Sequence, residues 1–446
     1  MNNPTEHIPE NKAIPLRIEK AVYGGAGLAR LPDGKAVFVP LTLPGELVEA
    51  RVRGNKRGVA EADVTAIREA STERTAAACK HFGVCGGCSY QHAAYAVQLT
   101  MKRDILRETM LRAGVTPPEI SVHHAEPWAY RNRIRMHFLR TSGRLQLGYK
   151  QRRSHTVFAV DECPVAAPLL VRAAKALCDA LTDAAWADNA LDAEFFCDAA
   201  ESALQVAILM KPATAASATE FVAAMERLQK VLPELAGTGV YEQAGDPTAP
   251  PRELAGWGAE ALNCTVGAHS YRVSRGAFFQ VNRFLAAELV ELATRECSGA
   301  LVWDLYAGAG LFSRALAGTF ARVVAVESAV PAVRDLQHNL ALAGEQHRAI
   351  ESTTLDFLRR TAAPSSKKPP QLIVLDPPRA GLGAAVCELL AQVGAQEMVY
   401  VSCDPVTLSR DIAGLIESGY HVQAMHMVDL FPQTFHMETV TVLRNN

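Results

Sequence analysis

From about residue 298 onward, short apolar runs of strand length alternate with segments of helical spacing, and no other feature of the chain restricts its fold as much. The runs fall at residues 301–305, 322–326, 372–375, 398–401, 421–428 and 440–443. Helical patterns separate most of them, which requires crossover connections and hence a parallel sheet covered by helices. The last two runs are joined by a short connection, as an antiparallel hairpin would be. The expected architecture is therefore α/β, a doubly wound sheet closed by a hairpin. At 446 residues the chain is too long for one core, so two or three domains are expected.

Chemistry-bearing residues cluster where these runs end. Asp304-Leu305-Tyr306-Ala307-Gly308-Ala309-Gly310 follows the first run and precedes a helix, so its glycines let backbone approach a ligand at the carboxyl edge of the sheet. Ser313 stands where a dinucleotide fingerprint would have its third glycine, which argues against a nicotinamide site. Glu327 ends the second run, where a carboxylate can accept from ribose hydroxyls. Asp376-Pro377-Pro378-Arg379 ends the run beside the first, and its two prolines hold an extended backbone that can aim Asp376 into the crevice. Cys403 closes residues 398–401 and opens a helix capped by Asp404, with Pro405 in its first turn and Gly419 past its end. A thiol at that helix start is expected to have a lowered pKa, with thiolate accessible near neutrality.

Upstream, residues 13–70 read as short strands with turn punctuation, among them a hairpin turn at Pro32-Asp33-Gly34-Lys35 and a basic turn at Gly54-Asn55-Lys56-Arg57-Gly58. That is the pattern of a small β-barrel that binds irregular or single-stranded nucleic acid. Residues 71–265 follow, with an Ala-rich stretch, one strand at 203–209 and a loop at 245–251. Their front end holds Cys79, Cys85 and Cys88, spaced Cys-x5-Cys-Gly-Gly-Cys, with Cys163 before a proline further on. Such thiolates suit an iron–sulfur cluster or tetrahedral zinc, and spacing alone does not choose between them. Residues 131–153 hold eight Lys or Arg and no acid. Alternation of Arg with Ile134, Met136 and Phe138 predicts a strand with one buried face and one basic face that binds RNA phosphates. The polar segment 1–12 lacks the apolar core of a signal peptide, no apolar stretch is long enough to span a bilayer, and ten cysteines in so long a chain do not make a secreted disulfide framework. A cytoplasmic protein with no membrane partner and no obligate protein partner is expected.

Taken together, these motifs resemble the RNA (uracil-C5) methyltransferase family, most closely its iron–sulfur, TRAM-containing branch that modifies 23S ribosomal RNA. The likeness runs through the cysteine loop, Phe279-Gln280-Val281-Asn282, Asp376-Pro377-Pro378-Arg379, Ser402-Cys403-Asp404-Pro405 and the stretch from Phe431-Pro432 to Glu438. It implies a TRAM-like barrel over 13–70, a central α+β iron–sulfur and RNA-recognition domain over 71–265, and a Rossmann-like class I methyltransferase domain over 266–446. It further implies that Cys79, Cys85, Cys88 and Cys163 bind a [4Fe–4S] cluster. Gln280, Tyr306, Glu327 and Asp376 would line an S-adenosylmethionine pocket, with Cys403 as nucleophile and Glu438 as base. Leu311, and Thr353 or Thr354, depart from polar cofactor contacts of close relatives.

The residue types suit that reaction. Uracil C5 is a poor nucleophile, so a thiolate adds to C6 and makes C5 an enolate carbon able to accept a methyl group. A base then removes the C5 proton. His436 competes with Glu438 for that role. The target base must be flipped out, and Phe278 or Phe279 can support it. Rival readings are a transfer RNA methyltransferase, an NAD-dependent oxidoreductase that leaves Cys403 and Glu438 without a role, and a non-catalytic RNA-binding module with a structural metal.

Overall fold

The computed structural model describes residues 13–56, 58–212, 218–243, 251–295, 297–361 and 368–445. The N-terminal polar segment, Arg57 of the basic turn and residues 245–250 of the loop at 245–251 lie outside them. The chain divides into two compact units. One comprises Met1–Glu108, Gln151–Arg153 and Phe431–His436; the other comprises Thr109–Lys150, Ser154–Leu430 and Met437–Asn446.

The first unit is built on a six-stranded sheet. Its strands alternate inward apolar residues with exposed polar ones, and Leu16, Ile18, Val37, Val39, Val48 and Ala62 fill the core. Ala26–Arg30 and Ala36–Pro40 pair antiparallel around the expected hairpin turn, where the Asp33 carboxylate accepts the Lys35 amide at 2.9 Å. The buried Glu46 ties this sheet to the chain that follows: it accepts from Arg74 Nε at 2.6 Å and Nη2 at 2.8 Å, and from the Leu43 amide at 2.8 Å.

The second unit contains a seven-stranded sheet running from Val157–Ala159 through Arg133–Thr141 and Ala190–Cys197 to Arg252–Gly258. Helices Pro168–Leu181 and Ala218–Val231 share its apolar core. The strand expected at 203–209 is Leu204–Met210.

The same unit carries the α/β sheet. Its strands are β1 (Gly299–Leu305), β2 (Phe320–Glu327), β3 (Arg348–Glu351), β4 (Leu372–Leu375), β5 (Glu397–Ser402), β6 (Tyr420–Val428) and β7 (Glu438–Asn445). They lie in the order β3-β2-β1-β4-β5-β7-β6, with β7 antiparallel to both neighbours. All four residues of β4 are buried, which is why that strand reads as an uninterrupted apolar run. The order reverses between β1 and β4, so the loops after these strands flank a crevice at their carboxyl ends. Every expected strand is present. Two escaped the sequence pattern: β3, whose four residues carry two charges, and Ile120–His123, which pairs parallel with β6 at the sheet edge. No helix among the described residues is long and apolar enough to cross a membrane.

Candidate active site

The loop after β1 turns through backbone that few residues adopt. Tyr306, Gly308 and Gly310 have φ of 64°, 54° and 89°. A Cβ on Gly310 would lie 2.8 Å from a Leu336 methyl, so this glycine is required by contact as well as by φ. Glu327, at the end of β2, accepts the Gly308 amide at 2.9 Å on one oxygen, and the Ser328 and Ala329 amides at 2.7 Å on the other. The carboxylate therefore holds the glycine loop in place. Beneath the loop Asp304 is fully buried; it accepts from the Ser313 hydroxyl through Oδ2, and its Oδ1 has no hydrogen-bond partner. Burial pushes its carboxyl up to about 7. Ser313, which marks the departure from a dinucleotide fingerprint, is thus a partner of Asp304.

The two departures from the family pattern have structural roles. Leu311 is buried and its carbonyl accepts the Tyr271 hydroxyl at 3.0 Å. Thr354 is buried and hydrogen-bonds Tyr306, and the Thr353 hydroxyl accepts the Asp356 amide at 3.1 Å at the start of helix Thr354–Thr361. Gln280 is buried nearby in the chain after Phe279, and Phe279 packs edge-on against Phe196 and tilted against Tyr271. Of the two aromatic candidates, Phe279 belongs to the core and Phe278 is 64% exposed. Asn282 anchors the backbone: its amide donates to the Leu430 carbonyl at 3.1 Å and its oxygen accepts from Phe284 and Leu285.

Cys403 follows β5, and Asp404 caps helix Pro405–Glu417 by accepting from the Val406 and Thr407 amides at 2.9 and 3.1 Å. The antiparallel register of β5 and β7 ends with Ser402 opposite Thr439. Cys403 comes directly after Ser402 and Glu438 directly before Thr439, and the Glu438 charge acts on the Cys403 thiol. Cross-strand neighbours in a sheet are close enough for their side chains to interact directly. Glu438 is buried, and its carboxyl is raised well above the usual range by burial and by the Asp376 charge, with Arg379 acting the other way. Asp376 is also raised, by burial and by Asp304.

The expectation of an acidified thiol does not hold. Burial pushes Cys403 up to about 11, and the Glu438 and Asp376 charges add to the rise. The Arg379 guanidinium opposes them, by charge and by a hydrogen bond to the thiol. The helix start offers little to the sulfur because Asp404 already occupies the first free amides. Within Asp376-Pro377-Pro378-Arg379 the only sequence signal of Arg379 is its position, three residues after Asp376.

The stretch from Phe431 to Glu438 is divided between the units. Phe431–His436 packs with the cysteine loop: the Gln433 carbonyl accepts from the Ser89 and Tyr90 amides, and Gln98 and Gln433 exchange two hydrogen bonds. The His436 ring packs edge-on against Phe431 and tilted against Phe435. Glu438 opens β7.

Cys79, Cys85 and Cys88 share one tight loop in the first unit, where the Cys85 amide donates to the His81 carbonyl at 2.8 Å and the Gly87 amide to Cys85 Sγ at 3.4 Å. Cys163 belongs to the second unit and packs on its apolar core near Arg131. The donors are chemically right for an iron–sulfur cluster. No three Cys, His, Asp or Glu side chains among the described residues are gathered as metal ligands.

The basic run also differs from expectation. Arg133 is buried, stacks on Phe196 and pairs with Glu194 at 2.7 Å. Arg135 also reaches Glu194, Arg140 pairs with Asp188, and Arg153 with Asp63. The acids missing from residues 131–153 are supplied largely by the paired strand Ala190–Cys197, where Glu194 faces Arg135 in register. Arg144 and Lys150 remain exposed.

A family model described as tRNA (Uracil-5-)-methyltransferase matches residues 256–446, and a TRAM domain model matches residues 10–65. The chain is 32% identical to the 23S rRNA (uracil(1939)-C(5))-methyltransferase RlmD of Halomonas elongata, over 96% of this chain and 89% of that protein. An uncharacterized RNA methyltransferase of Caulobacter vibrioides is 34% identical over 94% of this chain and 96% of its own length. Among solved structures, the tRNA (uracil-54, C5)-methyltransferase of Pyrococcus abyssi, in complex with S-adenosyl-L-homocysteine, superposes with a TM-score of 0.74 at 21% identity, covering 96% of this chain and 99% of that one.

Proposed function

The chain belongs to the RNA uracil-5-methyltransferase family of S-adenosylmethionine-dependent enzymes, and from that premise we propose that it methylates C5 of one uridine in 23S ribosomal RNA through a covalent adduct of Cys403 with uracil C6. The observation that carries this reading is the cluster of Cys403, Glu438, Asp376 and Arg379 at the carboxyl edge of the sheet, where the charges of the other three act on the Cys403 thiol. Cys403 gives its proton to solvent and adds to C6 as thiolate, and the electrons of the C5–C6 double bond move into an enolate. S-adenosylmethionine would supply an activated methyl that C5 takes, the S–CH3 bond breaking with its electron pair left on sulfur as the neutral thioether of S-adenosylhomocysteine. Glu438, as carboxylate, removes the C5 proton; the C6–S bond breaks, the double bond returns and Cys403 leaves as thiolate. A carboxylate raised by burial suits that last role, because its high proton affinity makes it a stronger base than an exposed glutamate. Arg379 offsets the cost of forming the thiolate. Gln280, Tyr306, Glu327 and Asp376 would hold the cofactor, with the Glu327 carboxylate accepting from ribose hydroxyls.

The functional division follows residues 13–70 for RNA contact, 71–265 for recognition and 266–446 for methyl transfer, in the cytoplasm. Cys79, Cys85, Cys88 and Cys163 are assigned to a [4Fe–4S] cluster on donor chemistry and family likeness alone, and no step of the reaction uses it. Iron and sulfide analysis of anaerobically purified protein, with Cys85→Ser alongside, tests that assignment. Transfer RNA is the second reading, favoured by the P. abyssi neighbour's substrate. Labelled methyl transfer to ribosomal and transfer RNA lacking 5-methyluridine, followed by nucleoside analysis, separates the two. Label in neither RNA rejects both.

A further inference from the structure

The loop that carries Arg379 is shaped from the helix that follows Cys403. Asp411, in the second turn of Pro405–Glu417 and 2% exposed, accepts the Leu382 amide at 2.7 Å through Oδ2 and the Gly383 amide at 3.3 Å through Oδ1. Two more contacts hold the loop's carbonyls: the Thr407 hydroxyl donates to Arg379 at 3.1 Å, and Arg410 Nη2 donates to Ala380 at 2.9 Å. The approach is close enough to exclude a side chain. Gly381 has φ of +75°, and a Cβ there would lie 2.4 Å from Asp411 Oδ2. Asp411 is itself held by the Tyr400 hydroxyl from β5 at 2.9 Å and by Arg410 at 2.7 and 2.9 Å.

We propose that Asp411 is a positioning residue for the reaction: it moulds the loop at 378–383 and thereby aims the Arg379 guanidinium at the Cys403 sulfur. A buried carboxylate that receives five hydrogen bonds from four residues is costly to maintain for the sake of a surface loop. Its location is informative, because one helix then fixes both the nucleophile at its start and the cation beside it. Relative movement between thiol and guanidinium is suppressed, and the attacking group is organised before substrate arrives. The charges facing the thiol are Glu438, Asp376 and Arg379. Those facing Asp411 are Arg410 and, through polar or titratable groups, Tyr400, Cys387 and Tyr306. Arg379 is the only cation in the first set.

The inference rests on Cys403 being the nucleophile, and its test separates the two claims. Alkylation of Cys403 by iodoacetamide, resolved by peptide mass spectrometry across pH, reads the thiol directly and needs no turnover. Asp411→Asn is expected to move the alkylation profile up by about one pH unit and to lower kcat about tenfold, with KM for S-adenosylmethionine unchanged. Arg379→Gln should give the same shift, and combining the two should add nothing to Arg379→Gln alone. Should Asp411→Asn fail to fold by circular dichroism, Thr407→Val removes only the hydroxyl held to the Arg379 carbonyl and should shift the profile less, in the same direction. A wild-type profile in either folded variant, or additive shifts in the double variant, overturns the proposal. Activity retained by Cys403→Ala would instead reject the nucleophile assignment and leave the alkylation result standing by itself.

Discussion

Glu438→Gln should make the nucleophile more acidic while stopping the reaction. Glu438 is the largest charge raising the Cys403 thiol, after burial. A separation of about 6 Å is of the order expected for two charges that act on each other across adjoining chain segments. Because part of the sulfur is open to solvent, an effective dielectric of about 40 is appropriate, and the repulsion is then about 1.4 kcal/mol, or about one pKa unit. In the wild type the repulsion exists only where Glu438 is ionised, and burial has raised Glu438 as well. Alkylation of Cys403 should therefore climb more slowly than tenfold per pH unit across the range where Glu438 loses its proton. In Glu438→Gln it should climb tenfold per unit throughout, towards a midpoint about one unit below the wild-type value near 11. With RNA and cofactor, the same variant should methylate once and then retain the adduct, since nothing removes the C5 proton. A denaturation-resistant protein–RNA band carrying the labelled methyl reads that outcome. Identical alkylation profiles would refute the electrostatic argument, and full turnover by Glu438→Gln would refute the base assignment.

Three further outcomes follow from particular residues. Asp304 keeps its proton in the fold up to about 7, whereas the unfolded chain releases it near 3.8, so stability falls as pH rises between those values. Asp304→Asn should match wild type near pH 4 and exceed it at pH 8 by at most about 4 kcal/mol in urea unfolding; equal curves at both pH values would contradict the burial argument. Glu46→Ala leaves Arg74 facing two unsatisfied amides and should destabilise the first unit by about 3–5 kcal/mol, seen as limited proteolysis within it while the second unit resists. Phe278→Ala should weaken RNA binding without lowering the melting temperature, and Phe279→Ala should cost about 3–5 kcal/mol of stability; the reverse pattern would remove Phe278 from the base-binding surface.

Where the candidate site lies was legible because its determinants are local. The apolar runs, the glycines after β1, the prolines after Asp376 and the Asp404 cap each act within a few residues through backbone geometry. Element order then followed from alternation. Ile120–His123 was not legible, since four residues pair as an edge strand only because β6, some 300 positions later, offers its open side. The basic run failed for a related reason. A charge count along the chain does not see across the sheet, and Glu194 reaches Arg133 and Arg135 only once two strands pair.

The sequence by itself determined the α/β order, the motifs at the carboxyl edge, the helix start after Cys403 and the family to which these belong. The tertiary structure decided the acidity of the thiol, the separation of Phe278 from Phe279 and the service of Asp411 to the Arg379 loop. The division is physical. Backbone hydrogen bonding and hydrophobic period are set by neighbours in the chain, whereas desolvation and Coulomb energy depend on distances between residues that only folding brings together.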